Sequence, residues 1–254
     1  MKNVNSSLMP CLLATLALPS LSEAATVVSD DFETSTIVGE NRLRVENTAD
    51  DWVQFSGTAT LDAGQWEISD GQLRNPGTTP GTASQSPIFS LVDVGAQSLP
   101  DHTQVTITFD YTVAADSTLT FYSYGYFDGT LTNTNAQLHN TGTSNGAIQS
   151  QYDSSGDFSA LNLRAGENTP NGSAGTGFSL TGDGSFTLTV DLTAEGYEEV
   201  DNINDLQLLT SGFRSSGGAV SIDNFNISTS FVPEPSSTAL LALGGLTLIL
   251  RRRK

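Results

Sequence analysis

Strict alternation of apolar and polar residues in the middle of the chain is the feature that most restricts its fold. From Val105 to Val113 every second residue is apolar, and three threonines and one aspartate lie between. Residues 186–192 repeat the pattern. Successive side chains of a strand point to opposite faces, so each segment buries one face and exposes the other. The pattern predicts an all-β fold, a two-sheet antiparallel β-sandwich.

Further strands are expected where short β-rich runs are bounded by turn residues. They are residues 26–32, 58–62, 66–69, 72–75, 88–94, 118–127, 146–152, 159–163, 205–210 and 219–228. Asp70-Gly71, between two of these runs, predicts a tight hairpin. Residues 114–117 are expected to link two long antiparallel strands. A short helix is compatible only with residues 194–200.

The first 24 residues have the three parts of a secretory signal peptide. Lys2 provides a positive start, residues 8–18 form a short apolar core, and Ala24 precedes the expected cleavage before Ala25. The single cysteine, Cys11, lies inside this segment. The mature chain is therefore expected to form no disulfide and no thiol-based site. We expect residues 25–230 to form one β-sandwich domain.

The C-terminal segment, residues 231–254, combines three features in order. A Pro-Glu-Pro motif comes first, an apolar run over residues 239–250 follows, and four cations close the chain. The motif residues are Val232, Pro233, Glu234 and Pro235, and the cations are Arg251, Arg252, Arg253 and Lys254. This arrangement favours a short transmembrane helix with its basic end on the cytoplasmic side. The run is shorter than the roughly 20 residues of a permanent span.

Together the three features resemble the PEP-CTERM sorting signal of exopolysaccharide-producing Gram-negative bacteria. The resemblance implies an exported protein of the cell envelope, the cell surface or the extracellular matrix. It also implies that an exosortase, a membrane enzyme with a cysteine-protease-like site, cuts near the Pro-Glu-Pro motif. The C-terminal helix would hold the chain in the inner membrane only transiently. An ordinary single-span anchor is the alternative.

The charge of the middle segment restricts its partners. Outside the two ends the chain has five arginines, no lysine and 26 acidic residues, a formal net charge of −21. Such a field repels nucleic acid and anionic lipid headgroups, and it attracts divalent cations. We therefore expect no nucleic-acid partner.

Three segments of the body resemble jelly-roll carbohydrate-binding modules and laminin-G-like lectins. They are DDFE at 30–33, GQWEISDGQL at 64–73 and VSIDNF at 220–225. The resemblance implies a jelly roll whose first and last strands are neighbours, with a structural calcium ion beside them. Asp31, Glu33 and Asp223 are the candidate ligands, because calcium prefers hard oxygen donors. Solvated acids on an acidic surface are the alternative.

Residues 118–127 place large side chains on both faces of one strand. Tyr122, Tyr124 and Tyr126 share one face, and Leu119 and Phe121 share the other. Tyrosine combines an apolar ring with a polar tip, which suits stacking on sugar rings. The tyrosine face is thus a candidate polysaccharide-binding platform. The alternative is that these rings pack under a loop or against another sheet.

No motif of a catalytic site is present in the sequence. His102 and His139 stand without an accompanying nucleophile motif, and the many acids make any carboxylate pair uninformative. We expect a protein that is not an enzyme and that binds extracellular polysaccharide. A structural or adhesive matrix component without a ligand site is one alternative. A jelly-roll glycoside hydrolase or polysaccharide lyase is another.

Overall fold

The alternating segments fold as β-strands in the structure, a computed structural model. It describes residues 24–40, 42–44, 51–55, 66–77, 88–95, 97, 99, 102–127, 137–140, 148–149, 159–163, 167–168, 177–194, 197, 200 and 202–231. All of these belong to one unit, Glu23–Val232. The predicted signal sequence before Ala24, the Pro-Glu-Pro motif, the C-terminal helix and the basic residues lie outside the described residues. Across the described ranges, no helix is long and apolar enough to cross a membrane.

The described residues contain 17 strands. In chain order they are β1 Ala25–Asp30, β2 Thr36–Glu40, β3 Arg42–Arg44, β4 Asp51–Phe55, β5 Glu67–Ser69, β6 Gln72–Asn75, β7 Ile88–Asp93, β8 Gln104–Val113, β9 Thr118–Phe127, β10 Gln137–Asn140, β11 Ile148–Gln149, β12 Ser159–Asn162, β13 Glu167–Asn168, β14 Phe178–Leu180, β15 Asp183–Asp191, β16 Leu208–Ser216 and β17 Val220–Ser230. Of residues 194–200, where a short helix is expected, only 194, 197 and 200 are described, with Tyr197 N–H donating to Ala194 O at 3.2 Å, so the helix stays a prediction.

Sheet A has six strands in the order β15-β8-β17-β6-β5, with β1 also paired to β17. β8 follows one edge of β17 along its length. On the other edge, β6 pairs with residues 220–222 and β1 with residues 225–229. The first and last strands are therefore neighbours, as the jelly-roll resemblance implied. A bulge separates the β6 and β1 contacts, and Asn224 within it has a φ of 51°.

Sheet B has eight strands in the order β13-β12-β9-β16-β7-β4-β2, with β14 paired to β9. Its pairs are antiparallel except β2 and β4, which run parallel from Thr36 opposite Asp51 to Glu40 opposite Phe55. A further sheet of order β11-β10-β3 completes the described strands. The predicted two-sheet sandwich is confirmed. The parallel pair of β2 and β4 is a departure from purely antiparallel pairing.

Aromatic rings from the facing surfaces of sheets A and B form the centre of the core. The ring centroid of Phe109 on β8 lies 4.9 Å from that of Phe121 and 5.0 Å from that of Phe213. Trp52 on β4 lies 5.3 Å from Phe225 on β17. Each contact joins one sheet to the other, and each such pair adds about 0.5–1.5 kcal/mol to the burial of its rings. The core therefore holds the two layers together.

Two predicted connections have different outcomes. Asp70 and Gly71 form the turn between β5 and β6, with φ values of 53° and 66°. Positive φ at both central residues is the geometry of a type I′ hairpin, so that prediction is confirmed. Residues 114–117 do connect two long strands, but β8 belongs to sheet A and β9 to sheet B. That connection therefore crosses the sandwich.

Candidate functional site

Two of the three tyrosines on one face of β9, Tyr122 and Tyr124, are buried. Tyr122 is 6% exposed and Tyr124 is 3% exposed, and the ring of Phe89 lies 6.3 Å from that of Tyr122. Burial, and to a lesser extent the neighbouring Tyr122, raises the pKa of the Tyr124 phenol. The side chain of Tyr126 is outside the described part. Neither buried ring offers an open surface to a sugar. Stacking by the set of three tyrosines stays a prediction, because the third side chain is not described.

The segments that carry the predicted calcium ligands meet at the hairpin turn between β5 and β6. A β-carbon on Gly71 would lie 2.6 Å from Glu33 Oε1 and 3.6 Å from the main-chain oxygen of Asp31. Asp223 accepts a hydrogen bond from Gln72 Nε2 at 3.3 Å. Among the described residues, however, no three His, Cys, Asp or Glu side chains are grouped to hold a metal ion. The structure does not gather the three carboxylates into one ligand set, and calcium binding stays a prediction.

The outward surface of sheet A carries a regular array of polar side chains, which we call the open face. Thr106 and Thr108 on β8 lie opposite Thr189 and Thr187 on β15, and the Thr106 and Thr189 hydroxyls are 3.4 Å apart. The members of the open face are Glu67, Gln72, Arg74, Gln104, Thr106, Thr108, Asp110, Thr112, Ser185, Thr187, Thr189, Ser221, Asp223, Asn226 and Ser228. All of these side chains are half-buried or exposed. The open face thus presents donors and acceptors to solvent.

Asp110 is a fixed acceptor near the middle of the open face. Its Oδ1 accepts a hydrogen bond from Ser185 Oγ at 2.5 Å, and its Oδ2 accepts one from Asn224 Nδ2 at 2.9 Å. These bonds, that of Ser185 first, lower the pKa of the Asp110 carboxyl below its ordinary value. Asp110 is therefore a stable carboxylate, the opposite of the raised-pKa carboxyl that a general acid requires.

A hollow of about 590 Å³ lies at the end of the open face where β17 begins. Its lining includes Glu67, Arg74, Ser221 and Thr112, which form one cross-strand row over β5, β6, β17 and β8. Side chains directly opposite each other on paired strands are about 4.5–5.5 Å apart at their β-carbons. The row therefore places one carboxylate, one guanidinium and two hydroxyls along the hollow, so both donors and acceptors are present.

The Arg74 side chain is held in place by its neighbours. Its Nη1 donates to Asp70 Oδ2 at 2.7 Å, and its Nε and Nη2 donate to Gln72 Oε1 at 3.1 and 3.0 Å. Gln72 in turn donates from Nε2 to Asp223. The guanidinium and the amide are therefore ordered before any ligand arrives, which lowers the entropic cost of binding.

Asn75 contributes a buried donor at the margin of the hollow. It is 0% exposed, and its Oδ1 accepts a hydrogen bond from Gly77 N–H at 3.0 Å. Its Nδ2 has no hydrogen-bond partner among the described residues. A buried donor without a partner costs about 1–3 kcal/mol, so an acceptor that reached this nitrogen would be bound favourably.

Sequence reasoning identified part of the open face and missed the hollow. The alternation in β8 correctly placed Thr106, Thr108, Asp110 and Thr112 on one side of a strand. Arg74 went unnoticed because β6 has only four residues and Ser221, the residue opposite Arg74 on β17, is distant in sequence. The available signal was the Asp70-Gly71 turn, because that hairpin places Arg74 directly opposite Glu67.

The C-terminal segment matches a known sorting motif. Residues 231–254 match the PEP-CTERM protein-sorting motif. The identification of this motif from the sequence is therefore confirmed. The match begins at the residue that follows β17. No curated protein matches the chain.

Several solved structures of β-sandwich proteins are similar to this chain. A candidate sugar-binding protein from Bacteroides thetaiotaomicron is 13% identical with a TM-score of 0.44, over 81% of this chain and 100% of that one. The CBM22-1 xylan-binding domain from Paenibacillus barcinonensis Xyn10C is 10% identical with a TM-score of 0.38, over 83% and 97%. A mannan-recognising carbohydrate-binding module, TmCBM27, is 11% identical with a TM-score of 0.32, over 82% and 98%.

Proposed function

We propose that this chain is an exported, non-catalytic protein sorted by an exosortase at the inner membrane of a Gram-negative bacterium. We further propose that its sandwich binds polysaccharide at the cell surface or in the extracellular matrix. The C-terminal motif over residues 231–254 supports the sorting step. The binding step rests on one observation, the hollow of the open face with its ordered Arg74 and Gln72.

The chemistry of the hollow suits sugar hydroxyls. A sugar hydroxyl donates one hydrogen bond and accepts others, so it needs both kinds of partner. Arg74 supplies donors, Glu67 supplies acceptors, and Ser221 and Thr112 supply both. The long row of threonines beside the hollow gives a polymer further contacts along the open face. A chain of sugars therefore suits the polar part of the lining, and Pro76, Ala114 and Ala219 add apolar contacts for the ring faces.

The charge around the hollow favours neutral polysaccharide. The Arg74 guanidinium is already paired with Asp70, and Glu67 and Asp223 add negative charge nearby. The whole chain has a formal net charge of −18, which repels polyanions. Neutral glycans should therefore bind in preference to those rich in uronate or sulfate, and nucleic acid should not bind.

A catalytic role has less support. Asp70 is paired with Arg74, Asp223 accepts from Gln72, and the pKa of Asp110 is lowered. Glycoside hydrolysis requires one carboxyl that keeps its proton near neutral pH, and the lowered pKa of Asp110 is a shift in the opposite direction. Release of reducing ends or unsaturated sugars from a polysaccharide by the purified protein would reverse this conclusion.

A structural or adhesive matrix component is the second candidate function. One observation favours it, the burial of Tyr122 and Tyr124 on the face where a stacking platform was expected. In that case the open face serves solubility alone, and no glycan should bind with measurable affinity.

Replacement of Arg74 distinguishes the two functions. The exported protein is run through native gels that contain neutral polysaccharides, and its retardation gives an affinity. Arg74→Ala should weaken binding about tenfold or more, because hydrogen bonds from a charged group contribute about 1.5–3 kcal/mol. Arg214→Ala, on the outward face of sheet B, is the matched control and should bind like the wild type. Absence of retardation by every neutral glycan, or an unchanged affinity of Arg74→Ala, would contradict binding at the hollow.

A further inference from the structure

The C-terminal end of β17 is held firmly in sheet A. Ser230 pairs with Gln104 on β8, its main-chain oxygen accepts a hydrogen bond from Thr103 N–H at 3.0 Å, and its Oγ donates to Gln104 Oε1 at 3.2 Å. Thr229 is 1% exposed and lies opposite Ala25 on β1. Thr229 is therefore paired on both edges and buried, and Ser230 is paired with β8 and half-buried.

The side chain of Thr229 adds a further contact to this end of the strand. Thr229 Oγ1 and His102 Nδ1 lie 2.7 Å apart. Ile227, two residues earlier on the same face of β17, is 1% exposed and belongs to the core. Withdrawal of the strand end from the sheet would break these contacts but could stop short of the core residues.

The sorting motif follows this strand with almost no spacer. Residues 231–254 match the motif, and Pro233 is three residues beyond Ser230. Three residues span at most about 10 Å even when fully extended. Proteases and other peptide-binding proteins commonly hold an extended segment by its main-chain groups. The main chain of Thr229 and Ser230 already uses those groups within sheet A.

We propose that processing of the sorting motif requires Thr229 and Ser230 to leave sheet A, so that docking of the end of β17 opposes the cut. This inference rests on the proposed exosortase sorting. In the cut, one peptide bond near Pro233 breaks, a water molecule adds its hydroxyl to the carbonyl carbon, and the leaving nitrogen takes the proton. The sandwich thereby controls how fast its own tail is removed.

A disulfide that fixes the end of β17 tests this inference in the producing cell. Gln104 and Ser230 lie directly opposite each other, within the reach of a disulfide, and the predicted mature chain contains no other cysteine. The full-length Gln104→Cys/Ser230→Cys variant should be processed at least tenfold more slowly than the wild type. Mass spectrometry of the C-terminus after a pulse of synthesis measures the processed fraction, and added reductant should restore the rate.

Two companion variants distinguish failure of this inference from failure of the proposed exosortase sorting. Thr120→Cys/Ser179→Cys places an equivalent disulfide between β9 and β14, away from the end of β17, and should be processed like the wild type. Insertion of about ten Gly and Ser residues between Phe231 and Val232 should restore processing of the Gln104→Cys/Ser230→Cys variant. Processing of that variant at the wild-type rate without the insertion would overturn the inference alone. If no variant is processed, with or without the insertion, the proposed sorting fails and the inference fails with it.

Discussion

Asp30 is a carboxylate in a core position, and it joins the two sheets. It is 5% exposed and accepts hydrogen bonds from Phe32 N–H at 2.7 Å, Ser35 Oγ at 2.6 Å and Trp52 Nε1 at 2.8 Å. Asp30 ends β1 in sheet A, and Trp52 lies on β4 in sheet B. Because a buried charge is tolerated only when it is well hydrogen-bonded, this set of donors accounts for its position.

Removal of the Asp30 carboxylate should destabilise the sandwich strongly. Asp30→Ala leaves a buried indole N–H and a buried main-chain N–H without their acceptor, so the free energy of unfolding should fall by about 3 kcal/mol. Urea denaturation followed by tryptophan fluorescence measures the change. Asp31→Ala alters an exposed neighbour and should change stability by less than about 0.5 kcal/mol. Similar losses for the two variants would show that Asp30 has no special structural role.

The same residue shows where sequence reasoning stops. The sequence of residues 30–33 predicts a functional role for Asp31 and Glu33 and none for Asp30. Val28 and Asp30 share the inward face of β1, so strand alternation turns Asp30 toward the core and Asp31 outward. The sequence does not reveal the hydrogen-bond donor that makes an inward-facing acid tolerable, because Trp52 is 22 residues away.

At the scale of single elements, the middle of β9, residues 121–125, is buried on both faces. Leu119 and Phe121 are 0% exposed toward the core, while Tyr122 and Tyr124 are 6% and 3% exposed on the opposite side. The alternation predicted the bounds of this strand and which residues share a face. It could not predict burial of the second face, because that depends on what packs over sheet B and not on the strand itself.

Burial of Tyr124 predicts a loss of stability at alkaline pH. The folded protein keeps the phenol proton to a higher pH than the unfolded chain, whose tyrosines titrate near pH 10. The unfolded state therefore binds fewer protons above about pH 10, and the free energy of unfolding should fall by up to about 1.4 kcal/mol per pH unit. Urea denaturation between about pH 8 and 11 should show a shallower fall for Tyr124→Phe. Equal slopes for the wild type and Tyr124→Phe would contradict the assignment.

Strand β16 shows a second limit of the sequence pattern. It was expected to end at residue 210, but it continues to Ser216 and pairs with β9 from Leu208 to Ser216. Ser211, Gly212 and Ser215 break the apolar alternation, so nothing local marks this half as a strand. Pairing with β9, which is about 90 residues away in sequence, supplies the hydrogen bonds that extend it.

At the scale of the whole molecule, excess negative charge affects stability. The chain has 28 acidic and 10 basic residues. Mutual repulsion of the acids disfavours the compact state, and added salt screens it. Any divalent cation should therefore raise the melting temperature somewhat, whether or not a specific site exists.

Comparison of two cations separates screening from a calcium site. At about 5 mM, calcium should raise the melting temperature about 2–4 °C more than magnesium does, if a site with the affinity typical of extracellular modules is present. Asp223→Asn should remove that difference and keep the part common to both cations. Differential scanning calorimetry measures the shifts. Identical melting temperatures in the two salts would rule out the calcium prediction and leave screening as the only effect.

The length of β17 separates the hollow from the strand end that leads to the sorting motif. The strand runs 11 residues from Val220, which lines the hollow, to Ser230, and the sorting motif follows directly. Strand β1 begins at Ala25, beside this second end of β17. At about 3.3 Å per residue these two ends are roughly 30 Å apart. The strand end that leads to the sorting motif and the hollow therefore lie at opposite ends of β17. If the proposed sorting holds the protein by that strand end, the hollow is left free for the proposed polysaccharide.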